Sequence, residues 1–374
     1  MDTLVVLVVI TALLFDFTNG FHDTANAVAT SIATRALSPR VAVLLSGVLN
    51  LIGALLSVQV ALTISSGLVD EAKITTTVIF AGLVGAILWN LVTWLVGLPS
   101  SSSHALFGGL IGATWVAAGA GAINVDTLVA KVLIPAVLAP VVAGLIALTG
   151  TYLAYRITER AHQGDVGRGF KVGQVVSASM VALAHGTNDA QKTMGVITLT
   201  LITAGTLPQG SSPPLWVVLS AGLAIALGTA MGGWRIIHTL GTRITEIHPL
   251  QGFAAQTSSA SVILVSSHLG FPLSTTQVCS GAIFGAGAGR RLARVNWGVA
   301  GQMVIAWTLT LPAAAIVGAT AAQVALISTL GTVLVALVAI AIAAGIYLLS
   351  RRNPIDADNV DEVPVDPSGV PSAA

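Results

Sequence analysis

The chain has 374 residues, of which 55% are hydrophobic and 8% charged, with 39 glycines and a formal net charge of +1. A soluble domain carries about 25% charged residues, so this composition excludes a water-soluble globule, a disordered chain and a nucleic-acid binder with a basic face. It describes an all-α polytopic membrane protein whose helices are rich in Ala, Val, Leu and Gly and whose solvent is the lipid bilayer. The single cysteine, Cys279, forbids an intrachain disulfide and reads as a free core thiol.

A membrane helix needs about 20 apolar residues. Apolar stretches run over 3–19, 22–34, 41–66, 75–97, 103–121, 128–155, 172–187, 193–205, 214–233, 251–268, 277–289, 296–321 and 326–349. Several are too short to span alone, so about 10–12 membrane segments are expected, some of them broken. The first does not read as a signal peptide: it opens with Asp2 and lacks a basic n-region.

Lysines and arginines in short loops set orientation. Thirteen of the 16 fall in five clusters, Arg35/Arg40, Arg156/Arg160/Arg168/Lys171, Arg235/Arg243, Arg290/Arg291/Arg294 and Arg351/Arg352. Those clusters are expected in the cytoplasm, and the loops at 67–74, 119–127 and 205–213 outside. The pair 75–97 and 103–121 then has both outer ends outside. Charge permits two full crossings or a re-entrant hairpin. The tip Pro99-Ser100-Ser101-Ser102-Ser103-His104 has no basic residue, which favours the hairpin. The pair 251–268 and 277–289 begins and ends at cytoplasmic loops. The threading places the N-terminus outside and the C-terminus inside. It divides the chain into a first repeat (1–155), a cytoplasmic linker (156–171), a second repeat (172–325), one further helix (326–350) and a disordered acidic tail (351–374).

The halves repeat. Asn19-Gly20-Phe21-His22-Asp23-Thr24-Ala25-Asn26 aligns with His185-Gly186-Thr187-Asn188-Asp189-Ala190-Gln191-Lys192, and Gly97-Leu98-Pro99-Ser100-Ser101-Ser102-Ser103-His104 aligns with Gly270-Phe271-Pro272-Leu273-Ser274-Thr275-Thr276-Gln277. Asp23 and Ser101 lie 78 residues apart, Asp189 and Ser274 85. The charge threading gives the copies opposite orientation, the inverted-topology repeat common among secondary transporters.

Ionisable groups inside a bilayer are costly, which makes each a functional candidate. Asp16, Asp23, Asp189 and Lys192 qualify, with His22, His104, His185 and His268. Asp23 and Asp189 lead, because each holds the same place in its repeat, beside Gly and Asn, where a helix break is expected. A break exposes N–H and C=O groups that bind ions when they line a polar cavity. The plain alternative is a buried Asp that satisfies a neighbouring broken helix. Asp16 is weaker: its match in the second copy is Ala182, and a structural role is an equal reading. The runs Ser101, Ser102, Ser103 and Ser274, Thr275, Thr276 sit just after Pro, where a helix starts. Hydroxyls and free N–H groups there suit an oxyanion, with the helix dipole adding positive potential; simple N-capping is the alternative.

Lys192 stands where the first copy has Asn26. It can pair with Asp189 or Asp23, touch the anion, or snorkel at a helix end. A fixed positive charge is a poor neighbour for Na⁺, which favours coupling by H⁺ carried on an Asp. Among the histidines, His185 and His104 are best placed to shuttle protons. Asn90 and Gln256 lie in the arms leading to the tips and can orient other ligands. No zinc spacing, Walker loop or nucleophile elbow is present. No metal, enzymatic activity or cofactor is therefore expected, beyond a co-transported H⁺ or Na⁺.

The stretches from Gly20 to Ala27 and from His185 to Asp189, with the paired hydroxyl tips, resemble the inorganic phosphate transporter (PiT) family over nearly the whole chain apart from the tail. Asp189-Ala190-Gln191-Lys192 and Ala254-Ala255-Gln256 are similar to its bacterial low-affinity Pit branch. The resemblance implies a homodimeric carrier of the plasma membrane with inverted repeats, re-entrant hairpins and a central phosphate site. It implies Na⁺ or H⁺ as coupling ion, and for the Pit branch H⁺ with neutral divalent metal–phosphate complexes. By motif, Asp23, Asn26, Asn188 and Asp189 would serve the coupling ion and phosphate, and the hydroxyls at 101–103 and 274–276 phosphate. The chain departs from the family at Gln277, where many members have His, and at Lys192, which replaces an Asn. His22 would support the site.

The expectation is a phosphate:cation symporter, H⁺-coupled, working by alternating access. Its rivals are a Na⁺-coupled phosphate symporter, a sulfate carrier on the same scaffold, and a channel or receptor of transporter ancestry.

Overall fold

The computed structural model describes residues 2–70, 72–290 and 295–361. Among them the chain is helical, with two isolated β-bridges, Val69–Ile123 and Thr245–Val295. The first half holds α1 (Thr3–Ala33), α2 (Pro39–Ala54), α3 (Gln59–Gly67), α4 (Thr76–Leu95), α5 (Ser102–Ala118), the single turn α6 (Val125–Leu128) and α7 (Ile134–Thr158). The second holds α8 (Gln163–Thr203), α9 (Leu215–Met231), α10 (Trp234–His238), α11 (Pro249–His268), α12 (Thr275–Ala288), α13 (Trp297–Ala325) and α14 (Thr329–Ser350).

Five helical runs are long and apolar enough to cross a membrane: α1, α4, the run from α6 through α7, α13 and α14. Two bent pairs bring the number to seven: α2 with α3, bent by 70°, and α9 with α10, bent by 61°. The outer helices α7, α13 and α14 turn Leu138, Leu145, Ile305, Leu309, Leu337 and Ile340 outward. Water would penalise such faces, and lipid does not. The chain is thus an all-α polytopic membrane protein.

Each half leans on the other. The broken pair α2–α3 packs on α8, and the broken pair α9–α10 packs on α1. The hairpin α4–α5 is embraced by α13, and the hairpin α11–α12 by α7. The motif glycines make the first contacts possible. A Cβ on Gly20 would lie 2.4 Å from the Ile225 carbonyl oxygen, and one on Gly186 would lie 2.1 Å from that of Asn50. Any side chain there would push the helices apart. Both hairpins turn on a glycine in the left-handed region, Gly97 (φ +67°) and Gly270 (φ +73°), where a Cβ is disfavoured.

Three features differ from the sequence reading. The expected breaks at the aspartate motifs are absent. α1 runs unbroken through 20–26 and α8 through 186–192, merging the stretches 3–19 with 22–34 and 172–187 with 193–205. Gly and Asn disfavour a helix in isolation by little, and here tertiary hydrogen bonds and close packing hold both in place. The breaks lie instead in the helices facing those motifs. Gln191 Oε1 on α8 accepts from Val60 N and Ala61 N at 2.7 and 3.2 Å. A side chain from the other half thus caps the start of α3.

The linker expected at 156–171 is shorter, because α7 continues to Thr158 and α8 begins at Gln163.

The tail does not leave the bundle at 351. Arg235 donates to the Ser350 and Asn353 carbonyls at 2.7 and 2.6 Å, and Arg40 pairs with Asp358 at 3.0 Å. The His238 ring meets the Val360 carbonyl at 3.0 Å, and Val360 is buried. Those basic residues anchor 351–361. Residues 362–374 of the expected tail, and Arg291 and Arg294 of the basic clusters, lie outside the described residues.

Candidate functional site

The two hairpin tips meet between α1 and α8. Ser103 Oγ on one tip donates to the Leu273 carbonyl on the other at 2.9 Å. Each tip is the N-terminus of a helix, so its first backbone N–H groups have no intrahelical acceptor and its dipole is positive.

The hydroxyls divide their labour in the same way in both copies. The first of each run is an N-cap: Ser101 Oγ accepts from His104 N at 3.1 Å, and Ser274 Oγ accepts from Gln277 N at 3.3 Å. The plain capping alternative holds for these two. The others reach across. Ser102 Oγ donates to Asp23 Oδ2 at 2.6 Å, and Thr276 Oγ1 donates to Asp23 Oδ1 at 3.2 Å. Thr275 Oγ1 donates to Asp189 Oδ2 at 3.2 Å. Asn26 Nδ2 donates to Thr275 and Thr276 at 3.3 and 3.1 Å. Residues from both motif helices and both tips therefore share one buried site.

The two carboxylates have different companions. Asp23 lies 2.6 Å from His22 Nδ1, and the other ring nitrogen of His22 faces Thr93 and Ser100 hydroxyls at 3.2 and 3.4 Å. Asp189 is paired with Lys192 Nζ at 2.6 Å, with His185 Nε2 at 3.2 Å, and Asn19 Nδ2 lies 3.4 Å away. Lys192 is fully buried, so the snorkelling alternative fails and pairing with Asp189 holds. Ligand atoms of Asp23, His185 and Asp189 all lie within 4.8 Å of one another. Their two carboxylates and one imidazole suit a cation, although no local spacing announces it.

The remaining expectations fall around this centre. Asn188 Nδ2 holds the second tip, donating to Ser267 Oγ at 2.8 Å and the Phe271 carbonyl at 3.2 Å. His104 and Gln277 are buried one turn into the tip helices, and Gln277 Oε1 has no hydrogen-bond partner among the described residues. Asn90 is buried on α4 with neither side-chain atom bonded. Gln256 does not reach the carboxylates. It bridges Ser177 Oγ and the Ala27 carbonyl at 3.0 and 3.1 Å, tying α11 to α8 and α1.

Four residues escaped the sequence reading. Thr93 and Ser100 back His22. Asn50 Oδ1 faces His185 Nδ1 at 3.2 Å while its amide donates to Thr229 at 2.7 Å. Asn19 bridges to the opposite repeat. Only Asn19 and Ser100 lay in the aligned motifs; Asn50 carried a weaker signal, an amide inside an apolar stretch.

A convergence of paired hydroxyls, helix N-termini and a compensated carboxylate pair can surround a tetrahedral oxyanion together with a cation. A profile of the phosphate transporter family matches residues 19–318. A protein of Mycobacterium bovis described as a probable low-affinity inorganic phosphate transporter is 55% identical over 363 residues, covering 96% of this chain and 87% of its own. One of Bacillus subtilis with the same description is 43% identical over 320 residues, 85% and 96% of the two chains. A solved structure described as the sodium-dependent phosphate transporter superposes with a TM-score of 0.79 at 26% identity, covering 86% of this chain and 99% of that one.

Proposed function

The chain belongs to the phosphate transporter family, and from that premise we propose that it is a secondary active symporter importing inorganic phosphate with a cation, H⁺ in the first reading. The observation that carries this is the meeting of both tips on both aspartates. Ser102, Thr275 and Thr276 already donate to carboxylate oxygens, and the same O–H groups can turn to phosphate oxygens. The free N–H groups of α5 and α12 add donors from two directions. Ser101, Ser103 and Ser274 hold the tips in shape, Asn26 orients the two threonines, and Asn188 anchors the second tip.

Electrostatics supplies the reason for a cation. Phosphate brings negative charge to a site that already has two carboxylates. Lys192 offsets one of them; a proton or metal ion must offset the rest, since uncompensated charge in a low-dielectric interior is costly. Coupling follows, because the anion and the cation enter together. A neutral divalent metal–phosphate complex meets the same requirement.

The Na⁺ reading has its own support in Asp23, His185 and Asp189, which converge within reach of one cation. The ammonium 2.6 Å from Asp189 weighs toward H⁺. Alternating access is then a rocking of the two interlocked halves, 1–155 and 172–325, about the fixed centre. Tips that meet end to end support hairpins entering from opposite sides, with the N-terminus outside, the C-terminus in the cytoplasm, and two copies forming a dimer in the plasma membrane.

The test is radiolabelled phosphate uptake into proteoliposomes with an imposed pH or Na⁺ gradient. Accumulation driven by the pH gradient is expected. Uptake indifferent to both gradients rejects symport, and equal competition by sulfate rejects phosphate selectivity.

A further inference from the structure

Two residues break the repeat in opposite senses. Asp16 stands opposite Ala182 of the second copy, and Lys192 stands opposite Asn26 of the first. Both lie where α1 packs on α8: Asp16 is one turn before Asn19, whose amide reaches Asp189, and Lys192 is the ammonium paired with that same carboxylate.

Asp16 is completely buried, and neither of its carboxyl oxygens has a hydrogen-bond partner among the described residues. Its polar neighbours, Thr193 and Asn19, likewise leave an oxygen each without a partner. Lys192 donates one N–H to Asp189 Oδ1, whereas an ammonium has three. α4 and α9, also packed on α1, bring no titratable side chain. Of the other titratable groups nearby, His185 is paired with Asp189 and His104 is buried at the start of α5. On the remaining elements against α1, Arg235 and His238 of α10 and Arg40 of α2 bind the 351–361 segment, and Arg243 after α10 and His268 of α11 are exposed. Cys279 of α12 is a buried thiol.

A carboxylate with neither donor nor cation is not sustained in such an interior. These three groups, Asp16, Lys192 and Asp189, have two arrangements, because Asp189 keeps Asn19 and Thr275 as donors when Lys192 leaves it. In one, Asp16 holds a proton while Lys192 stays on Asp189. In the other, Asp16 is ionised and Lys192 has moved to it. We propose that Asp16 is the proton carrier of the transport cycle, and that Lys192 is the internal cation that moves from Asp189 to Asp16 when the proton leaves. On loading, one proton from water forms an O–H bond on Asp16, and Lys192 returns to Asp189. On release that O–H bond breaks, the proton passes to water on the far side, and the freed N–H groups of Lys192 turn to the carboxylate. The ammonium keeps its own protons throughout. Acids buried among transmembrane helices are where proton relays are built. The departure of Lys192 from Asp189 ties this step to the phosphate site, because Thr275 shares that carboxylate.

The inference rests on the proton-coupled reading above, and the experiment separates the two. Wild type and Asp16→Asn are reconstituted, and three quantities are measured: phosphate accumulation under an inward pH gradient, proton entry on phosphate addition, and phosphate:phosphate exchange at equal pH. Asp16→Asn, fixed in the loaded form, is expected to lose accumulation and proton entry while keeping exchange. Retained gradient-driven accumulation in this variant overturns the proposal, and so does loss of exchange along with it. A wild type that moves phosphate without protons overturns the coupling reading itself and leaves Asp16 nothing to carry. If Asp16→Asn does not elute as folded protein, Asp16→Glu decides: a shifted pH profile of uptake is expected, and an unchanged profile overturns the assignment.

Discussion

Asp23 and Asp189 occupy equivalent places in the two halves but answer to different neighbours. The bonds to Asp23 come from the hairpin tips, through Ser102 and Thr276, and from His22. The strongest partners of Asp189 come from its own helix, Lys192 three residues on and His185 four residues back. If the tips shift, Asp23 loses two donors, whereas Asp189 loses one, Thr275, and keeps its partners on α8. The two aligned positions therefore differ in chemistry: one carboxylate is bound mostly by the tips, the other is paired with an ammonium on its own helix.

The largest expected effects break this pair outright. Asp23→Asn and Asp189→Asn should each abolish phosphate uptake in proteoliposomes; activity in both would remove them from the site. Their stabilities should differ. Asp189→Asn strands a buried ammonium, at a cost of about 3–5 kcal/mol, whereas Asp23→Asn keeps one acceptor oxygen and costs about 1–3 kcal/mol. Thermal unfolding in detergent should show the larger drop for Asp189→Asn. Adding Lys192→Gln to Asp189→Asn should recover stability without recovering transport. Equal drops for the two single variants would erase the contrast between them.

Next come the hydroxyls. Ser102→Ala removes a donor to a charged group and should raise the phosphate KM about tenfold, the worth of one such hydrogen bond. Its neighbour in sequence should behave differently: Ser101→Ala loses a helix cap, about 1 kcal/mol of stability, and should leave KM near its wild-type value. A KM change larger for Ser101 than for Ser102 would reverse the division of labour read from the geometry. The smallest effect is expected at the helix ends. Arg40 and Asp358 are about three-quarters exposed, so Arg40→Ala should change stability by less than about 1 kcal/mol and leave uptake intact.

Much of this was legible in the sequence. The scarcity of charge showed the membrane, and two motifs recurring in order showed the halves. The few ionisable residues left inside apolar stretches pointed to Asp23, Asp189 and Lys192, and the hydroxyl runs after Pro99 and Pro272 pointed to the tips. Misreadings arose where a local signal met a tertiary answer. Gly20 and Gly186 looked like breaks, but they are contact points for the Ile225 and Asn50 carbonyls. Gln191 lay in the second motif without an assigned role, and it caps the helix across from it.

The sequence by itself determined the class of protein and the short roster of polar groups, because burial in lipid selects residue types and leaves that selection visible along the chain. Only the tertiary structure decided which hydroxyl caps and which reaches across, where the helices bend, and that Lys192 pairs with Asp189 inside the bundle. Those outcomes depend on bonds such as Asn26 to Thr276 and Ser103 to the Leu273 carbonyl, between residues on different halves. A local pattern holds no record of such distances; packing two interlocked halves around one buried centre sets them.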